Sequence, residues 1–224
     1  MKEININNKN LLNKIIDNVK TNLKKIISLI FGIFLIFVFI QLYSFYKKNK
    51  ILKDSISFFN LQDLNEDINL DDQFLKLSKE NNFYSFLSTL ELIESNLQNN
   101  KIEETKNLYF QLLENKSIDK IYKSALASKA SYEFIDFNLN NPAENYIDTI
   151  NIFISYIDDD VTTYIGIKLE LRYLVSILEI EKNKLKYSDF KKALDLFDNI
   201  MNSEIVSSVT KERINKIHEY FLIN

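Results

Sequence analysis

The stretch "IISLIFGIFLIFVFIQLYSFY", residues 26–46, decides how the rest of the chain is read. Its only polar side chains are Ser28, Gln41 and Ser44, and it carries no charge. As a helix rising about 1.5 Å per residue, it is long enough to cross a hydrocarbon core about 30 Å thick. A core helix of a soluble protein shows a polar face; this stretch has none, so protein or lipid must surround it on every side. A cleaved secretion signal has a shorter apolar region of about 7–15 residues, followed by small residues at the cut. Here the run passes directly into Tyr43, Tyr46, Lys47 and Lys48, with no A-x-A-like site. The expectation is one retained transmembrane helix over 26–46. Lys24 and Lys25 flank it on one side and Tyr43, Tyr46, Lys47 and Lys48 on the other, where aromatic rings and snorkelling lysines anchor helix ends.

Charge gives the orientation. Lys2, Lys9, Lys14, Lys20, Lys24 and Lys25 precede the span against Glu3 and Asp17, whereas Lys47, Lys48, Lys50 and Lys53 follow it. The positive-inside rule then places the N-terminus in the cytoplasm. The first 53 residues carry 10 Lys+Arg and 2 Asp+Glu, net +8; the other 171 carry 18 and 29, net −11, and together they make the chain's −3. So acidic a body repels phosphate backbones and anionic lipid, which argues against binding either through its surface, and no nucleic-acid partner is expected. An electrostatic partner of that body is basic.

Working outward, residues 1–25 form a basic cytoplasmic segment. Leu11, Leu12, Ile15, Ile16, Val19 and Leu23 share one helical face there, which suits either a helix lying on the membrane surface or one continuing into the span. Residues 47–71 read as a linker or an extension of the helix, with "NLQDLNEDINLDD" at 60–72 as its polar, acidic part. A folded domain covers 72–224 and begins between Asp72 and Asn82.

Within that domain the periodicity is helical and no alternating strand pattern competes. Ile102, Thr105, Leu108, Tyr109, Leu112 and Leu113 form one apolar face. Tyr164, Ile167, Leu171, Leu174 and Leu178 form a second; Tyr187, Phe190, Leu194, Phe197 and Met201 form a third, with Leu171 and Leu194 central in theirs. "NPAE" at Asn141–Glu144 reads as a helix start, with Asn141 as cap, Pro142 at the first helical position and Glu144 closing a capping box. "DDDVTT" from Asp158 and "NSEIVSS" from Asn202 are breaks. Ala125, Ala127 and Ala130 place small residues on the helix from Ile121 to Phe137, as close helix crossings require. About seven helices are expected after the span.

"EETKNLYFQLLEN", "NYIDTINIFISYI" and "FKKALDLFDNIMN" share an apolar pattern centred on Tyr109, Ile152 and Leu196, with centres 43 and 44 residues apart. That spacing suits stacked helical hairpins, each burying its apolar face on the next; an irregular helical bundle is the other reading.

Catalysis finds no support. The single histidine, His218 in "NKIHEYF", reads as a surface or packing residue. Two glycines, Gly32 in the span and Gly166 in a helix, cannot build a phosphate loop. Zero cysteines exclude disulfides, zinc ribbons and thiol chemistry. Glu103–Glu104 and Asp158–Asp160 lack loop-ligand spacing and read as solvated charge runs. Tyr84, Tyr109, Tyr122, Tyr132, Tyr164 and Tyr173 suit a core better than a peptide groove. The expectation is no enzyme, with catalytic, cofactor and metal residues none, and no small-molecule substrate.

The basic N-terminus, the span ending in Tyr and Lys, and "FYSFLSTLELIESNLQNNKIEETKNLYFQLLENKSIDKIYKSALASKASYEF" together resemble the bacterial tetratricopeptide-like family that includes the ancillary subunit of the SecYEG translocon. The family's helix, turn, helix and small-residue helix correspond to Phe83–Leu97, Ile102–Leu113 and Ile121–Phe137. Asn99 and Asn100 stand where the family often has Gly, and both tolerate left-handed backbone. The resemblance implies an all-α fold, a transmembrane helix followed by a tetratricopeptide-like stack of hairpins. It implies a single-pass inner-membrane protein with a periplasmic domain that assists protein export, contacting translocon subunits, periplasmic chaperones or exported proteins. A general envelope scaffold in outer-membrane assembly or cell division is the alternative. No residue is marked for partner binding.

Overall fold

The computed structural model describes residues 3–63, 70–80 and 82–223. For residues 3–12, 15, 18, 19 and 26 it describes the backbone alone. Among the described residues the chain is helical throughout, with no strand: α1 (Glu3–Gln62), α2 (Leu70–Ser78), α3 (Phe83–Gln98), α4 (Ile102–Glu114), α5 (Lys120–Asn140), α6 (Ile147–Ser155), α7 (Thr162–Asn183), a 3-10 turn (Tyr187–Asp189), α8 (Lys191–Asn202) and α9 (Ser208–Ile223). Among the described residues eight helices follow α1 where about seven were expected; α2, nine residues long, begins within the last three residues of the acidic stretch. Residues 64–69 of that stretch lie outside the described residues. Two compact units divide the chain, Met1–Ser85 and Phe86–Asn224.

α1 has 60 residues, which at about 1.5 Å each gives a rod about 90 Å long. It is the one helix among the described residues long and apolar enough to cross a membrane, and that apolar window is not covered by protein. The 1–25 segment continues into it without a break from Glu3. Of its expected apolar face, Ile16 and Leu23 are exposed; the side chains of Leu11, Leu12, Ile15 and Val19 lie outside the described residues.

The far end of α1 is built into the first unit. Asp54, Phe58 and Leu61, at i, i+4 and i+7, are buried. The Phe58 ring meets Phe74 of α2 at 5.9 Å and Tyr84 of α3 at 6.0 Å. Asn82 donates from Nδ2 to Asp54 Oδ2 at 2.7 Å, and its own Oδ1 accepts from the Tyr84 and Ser85 amides at 2.8 and 3.2 Å, capping α3. Lys50 pairs with Glu80.

In the second unit α5 and α7 are the central helices. α5 packs on α4, α6 and α7, and α7 packs on α6 and α8. The buried side chains of α5 are mostly small, Ser124, Ala127, Ser128, Ala130 and Ser131 among them, so its neighbours approach closely. α7 is apolar on opposite sides. Leu171, Val175 and Leu178 enter a cluster with Tyr109, Leu113, Phe134 and Phe153. Tyr173, Ile177 and Ile180, displaced by two residues and hence about 200° around the helix, enter a second cluster with Ala193, Ile200 and Ile214.

Three sequence readings are corrected. "NPAE" does not start a helix: Asn141 is the C-cap of α5, its backbone and side-chain N–H groups both donating to Phe137 O, and 141–144 form a turn closed by the Glu144 amide on Asn141 O. α6 begins only at Ile147, whose amide is accepted by Asn145 Oδ1 at 3.3 Å. The third apolar face is also displaced. Tyr187 lies in the 3-10 turn and Phe190 precedes α8, whose buried residues are Ala193 and Ile200 while Leu194 is half-buried. Finally, Ile152, taken as a repeat centre, is exposed and its neighbour Phe153 is fully buried. The breaks at 158 and 202 fall between α6 and α7 and between α8 and α9, and Asn100 takes φ 55°. There the Lys101 and Asn100 amides donate to Asn96 O and Leu97 O, closing a Schellman turn.

Candidate functional site

An apolar groove of the second unit lies between α3 and the first half of α5. Phe86 and Leu90, one turn apart on α3, face Tyr122, Ala125 and Leu126 on α5 across a groove of about 460 Å³. The Phe86 and Tyr122 rings meet edge to face at 6.3 Å. α5 can present this face because Asp119 caps it, its side chain accepting from the Ile121 amide at 2.9 Å. Glu91, Glu94 and Lys129 form the polar rim. Lys129 Nζ stands 3.6 Å from Glu94 and 3.1 Å from Glu133. Partial burial works against the Lys129 charge, but Glu133 and Glu94 outweigh it and hold its pKa above the usual lysine value. Beneath the rim, the Tyr109 hydroxyl donates to Glu133 at 2.5 Å. Burial first, and then that bond, push the phenol well above its ordinary range. The groove thus has a floor of aromatic and aliphatic side chains and a charged rim.

The six tyrosines considered for a groove separate accordingly. Only Tyr122 lines it. Tyr109 and Tyr173 are fully buried, and Tyr132 and Tyr164 pack partly buried against the first cluster. Tyr84 packs on Phe58, Phe59 and Phe83 in the first unit. Phe86 and Leu90 give no sign in the sequence of serving a groove, since they share the spacing of ordinary core residues.

His218 is a packing residue. Its ring stacks on Phe197 with centroids 3.6 Å apart and planes 10° from parallel. Nδ1 lies 2.5 Å from the Tyr187 hydroxyl, which is 2.9 Å from that of Tyr173. Burial lowers its pKa, outweighing the opposing pull of Asp198 and Glu219. This chain of hydroxyls and imidazole joins α7, the 3-10 turn and α9, and the Tyr187 end of it borders a hollow of about 450 Å³ lined also by Glu181, Lys184 and Phe221.

The acidic runs are engaged with lysines. Lys120 reaches Asp160 at 3.1 Å and Asp158 at 3.8 Å, and Glu103 pairs with Lys106. Lys168, itself buried, donates to Ile157 O and Asp159 Oδ1, both at 2.7 Å. Buried Glu170 pairs with Arg213. Among the described residues no group of three or more His, Asp or Glu side chains converges as a metal site would require. The proposed anchor flanks Lys24, Lys25, Tyr43, Tyr46, Lys47 and Lys48 are all exposed on α1. Comparison of the chain with protein families, curated proteins and solved structures finds no match to any of them.

Proposed function

We propose that this chain is a single-pass membrane protein carrying a stack of helical hairpins that serves as a protein–protein interaction module. The observation that carries this reading is the succession α4/α5, α6/α7 and α8/α9. The pairs begin at residues 102, 147 and 191, at intervals of 45 and 44, and the second helix of one pair packs on the second helix of the next where α5 meets α7. Hairpins so arranged bury their apolar faces on their neighbours and leave a continuous outer surface for partners. The groove between α3 and α5 is the surface best suited to a partner's apolar side chains, and the acidic rim and body favour a basic one.

α1 anchors the module in the bacterial inner membrane, with the N-terminus cytoplasmic and the domain periplasmic. There it assists protein export at the translocon and hand-over to periplasmic chaperones, as the resemblance implies. A photoreactive residue at Tyr122, activated in intact membranes, tests this. Adducts of translocon subunits or exported chains support it. Adducts of outer-membrane assembly or division proteins alone replace it with the envelope-scaffold reading. Protease added to spheroplasts should digest the domain and spare a tag at residue 1; a protected domain would reverse the orientation.

A further inference from the structure

We infer that two copies of this chain pair side by side, in parallel, through α1, along a seam of Leu42, Phe45, Asn49, Leu52, Ile56 and Phe59. These residues are spaced by three and four in strict alternation, the heptad period that brings two helices together along one line. Within the apolar stretch any register is greasy, so the turns beyond it fix the seam. Leu52, Ile56 and Phe59 stay apolar there while lysines occupy positions around them. All three are more than half exposed, as are Leu42 and Phe45, and Asn49 is exposed as well.

The opposite side of the same helix is already used. Asp54, Phe58 and Leu61 are buried. They lie about 180° around from the seam at about 100° per residue, so the seam stays exposed at Leu52 and Ile56, and Phe59 keeps more than half its surface free although one edge of its ring meets Tyr84 at 6.1 Å. α1 thus has two faces with apolar residues beyond residue 46, and the fold buries only one.

A second copy is the occupant the pattern fits. Two copies inserted with the same orientation stand parallel and at the same height, so each seam residue meets its own counterpart across a two-fold axis. Asn49 then faces Asn49, and paired amides at one central position of an otherwise apolar seam fix register and favour two strands. Lys48 and Lys53 flank the seam where, in a parallel pair, each faces the other across the interface. Their repulsion weakens with added salt.

The inference rests on reading α1 as a membrane span, and the experiment separates the two. The chain has no cysteine, so single substitutions in the full-length protein report proximity cleanly. Asn49→Cys, Leu52→Cys, Ile56→Cys and Phe59→Cys are oxidised in membranes beside Tyr43→Cys, Lys47→Cys and Ser57→Cys, which lie off the seam. Dimer bands should form at least about five-fold more strongly in the first set, in phase with the heptad and more so at about 0.5 M salt than at about 0.02 M. Adding Ile56→Glu to Leu52→Cys should abolish the band. Equal bands at all positions, or adducts only with other proteins, overturn the pairing. Alkaline extraction of the same membranes decides the anchor independently, since release of the protein refutes the span whatever the crosslinks show.

Discussion

Phe153→Ala in a fragment beginning at Lys47, which keeps Asp54, Phe58 and Leu61 in place, tests where the second unit keeps its core. Phe153 is fully buried, with the rings of Phe110, Phe134 and Tyr109 at 4.9, 5.3 and 5.8 Å. Truncating a buried Phe costs about 3–5 kcal/mol, because the hole left behind closes only in part. Three aromatic walls collapse poorly, and the lost ring contacts, about 0.5–1.5 kcal/mol each, are part of that cost, so it is set at the middle of the range, about 4 kcal/mol. With a urea sensitivity of about 2 kcal/mol per molar, the midpoint should fall by about 2 M. Ellipticity at 222 nm followed through a urea titration measures it. Ile152→Ala is the control: Ile152 is 47% exposed, and its loss should move the midpoint by less than about 0.5 M. Equal shifts for the two variants, or a shift below about 0.5 M for Phe153→Ala, would show that the core lies elsewhere.

Leu171→Ala should cost about 2–5 kcal/mol and the half-buried Leu194→Ala clearly less; urea midpoints of the two compare them directly. Lys184 ends α7 at φ 52°, so Lys184→Gly should raise stability by about 1 kcal/mol, whereas an unchanged or lower midpoint would show no strain there. Because burial lowers the His218 pKa from 6.5, the fold prefers the neutral ring: its contribution is full above pH 6.5 and is lost as pH falls through the folded value. The urea midpoint should therefore drop between pH 7.5 and 5.5, and His218→Phe should flatten that drop. Glu103, Asp159 and Glu212, held below their usual values by hydrogen bonds to Lys106, Lys168 and Lys216, act only at more acid pH. Tyr187→Phe breaks the link between Tyr173 and His218 and should cost about 1–3 kcal/mol, read from thermal melts.

The helical class was legible because α4 and the Leu171 side of α7 each have one clean apolar stripe, and because Asn100 supplies a left-handed turn without glycine. The second side of α7 was not legible. Tyr173, Ile177 and Ile180 interleave with Leu171, Val175 and Leu178, so the helix is apolar on opposite sides and the two stripes blur its periodicity. "NPAE" misled because Asn serves either end of a helix, and only the location of a free carbonyl at Phe137 decides which. Tyr187 and Phe190 keep helical spacing through a 3-10 turn, which moved the apparent face of α8 off Ala193 and Ile200. The groove was illegible in principle: Phe86, Leu90 and Tyr122 belong to helices separated by α4, and sequence spacing carries no information about which distant residues meet.

The two-sided burial of α7 also governs how this part of the chain comes apart. A helix that belongs to one cluster can detach and leave the other intact, as local opening usually does. α7 cannot, because releasing Tyr173, Ile177 and Ile180 from their partners disturbs the backbone that holds Leu171, Val175 and Leu178 in theirs. The helices on either side are therefore bound into one cooperative transition with α7 as its last member to open. Its amides should be the slowest in this unit to exchange with deuterium, and a cavity made at Ile200 or Ile214 should speed exchange as far away as Tyr109.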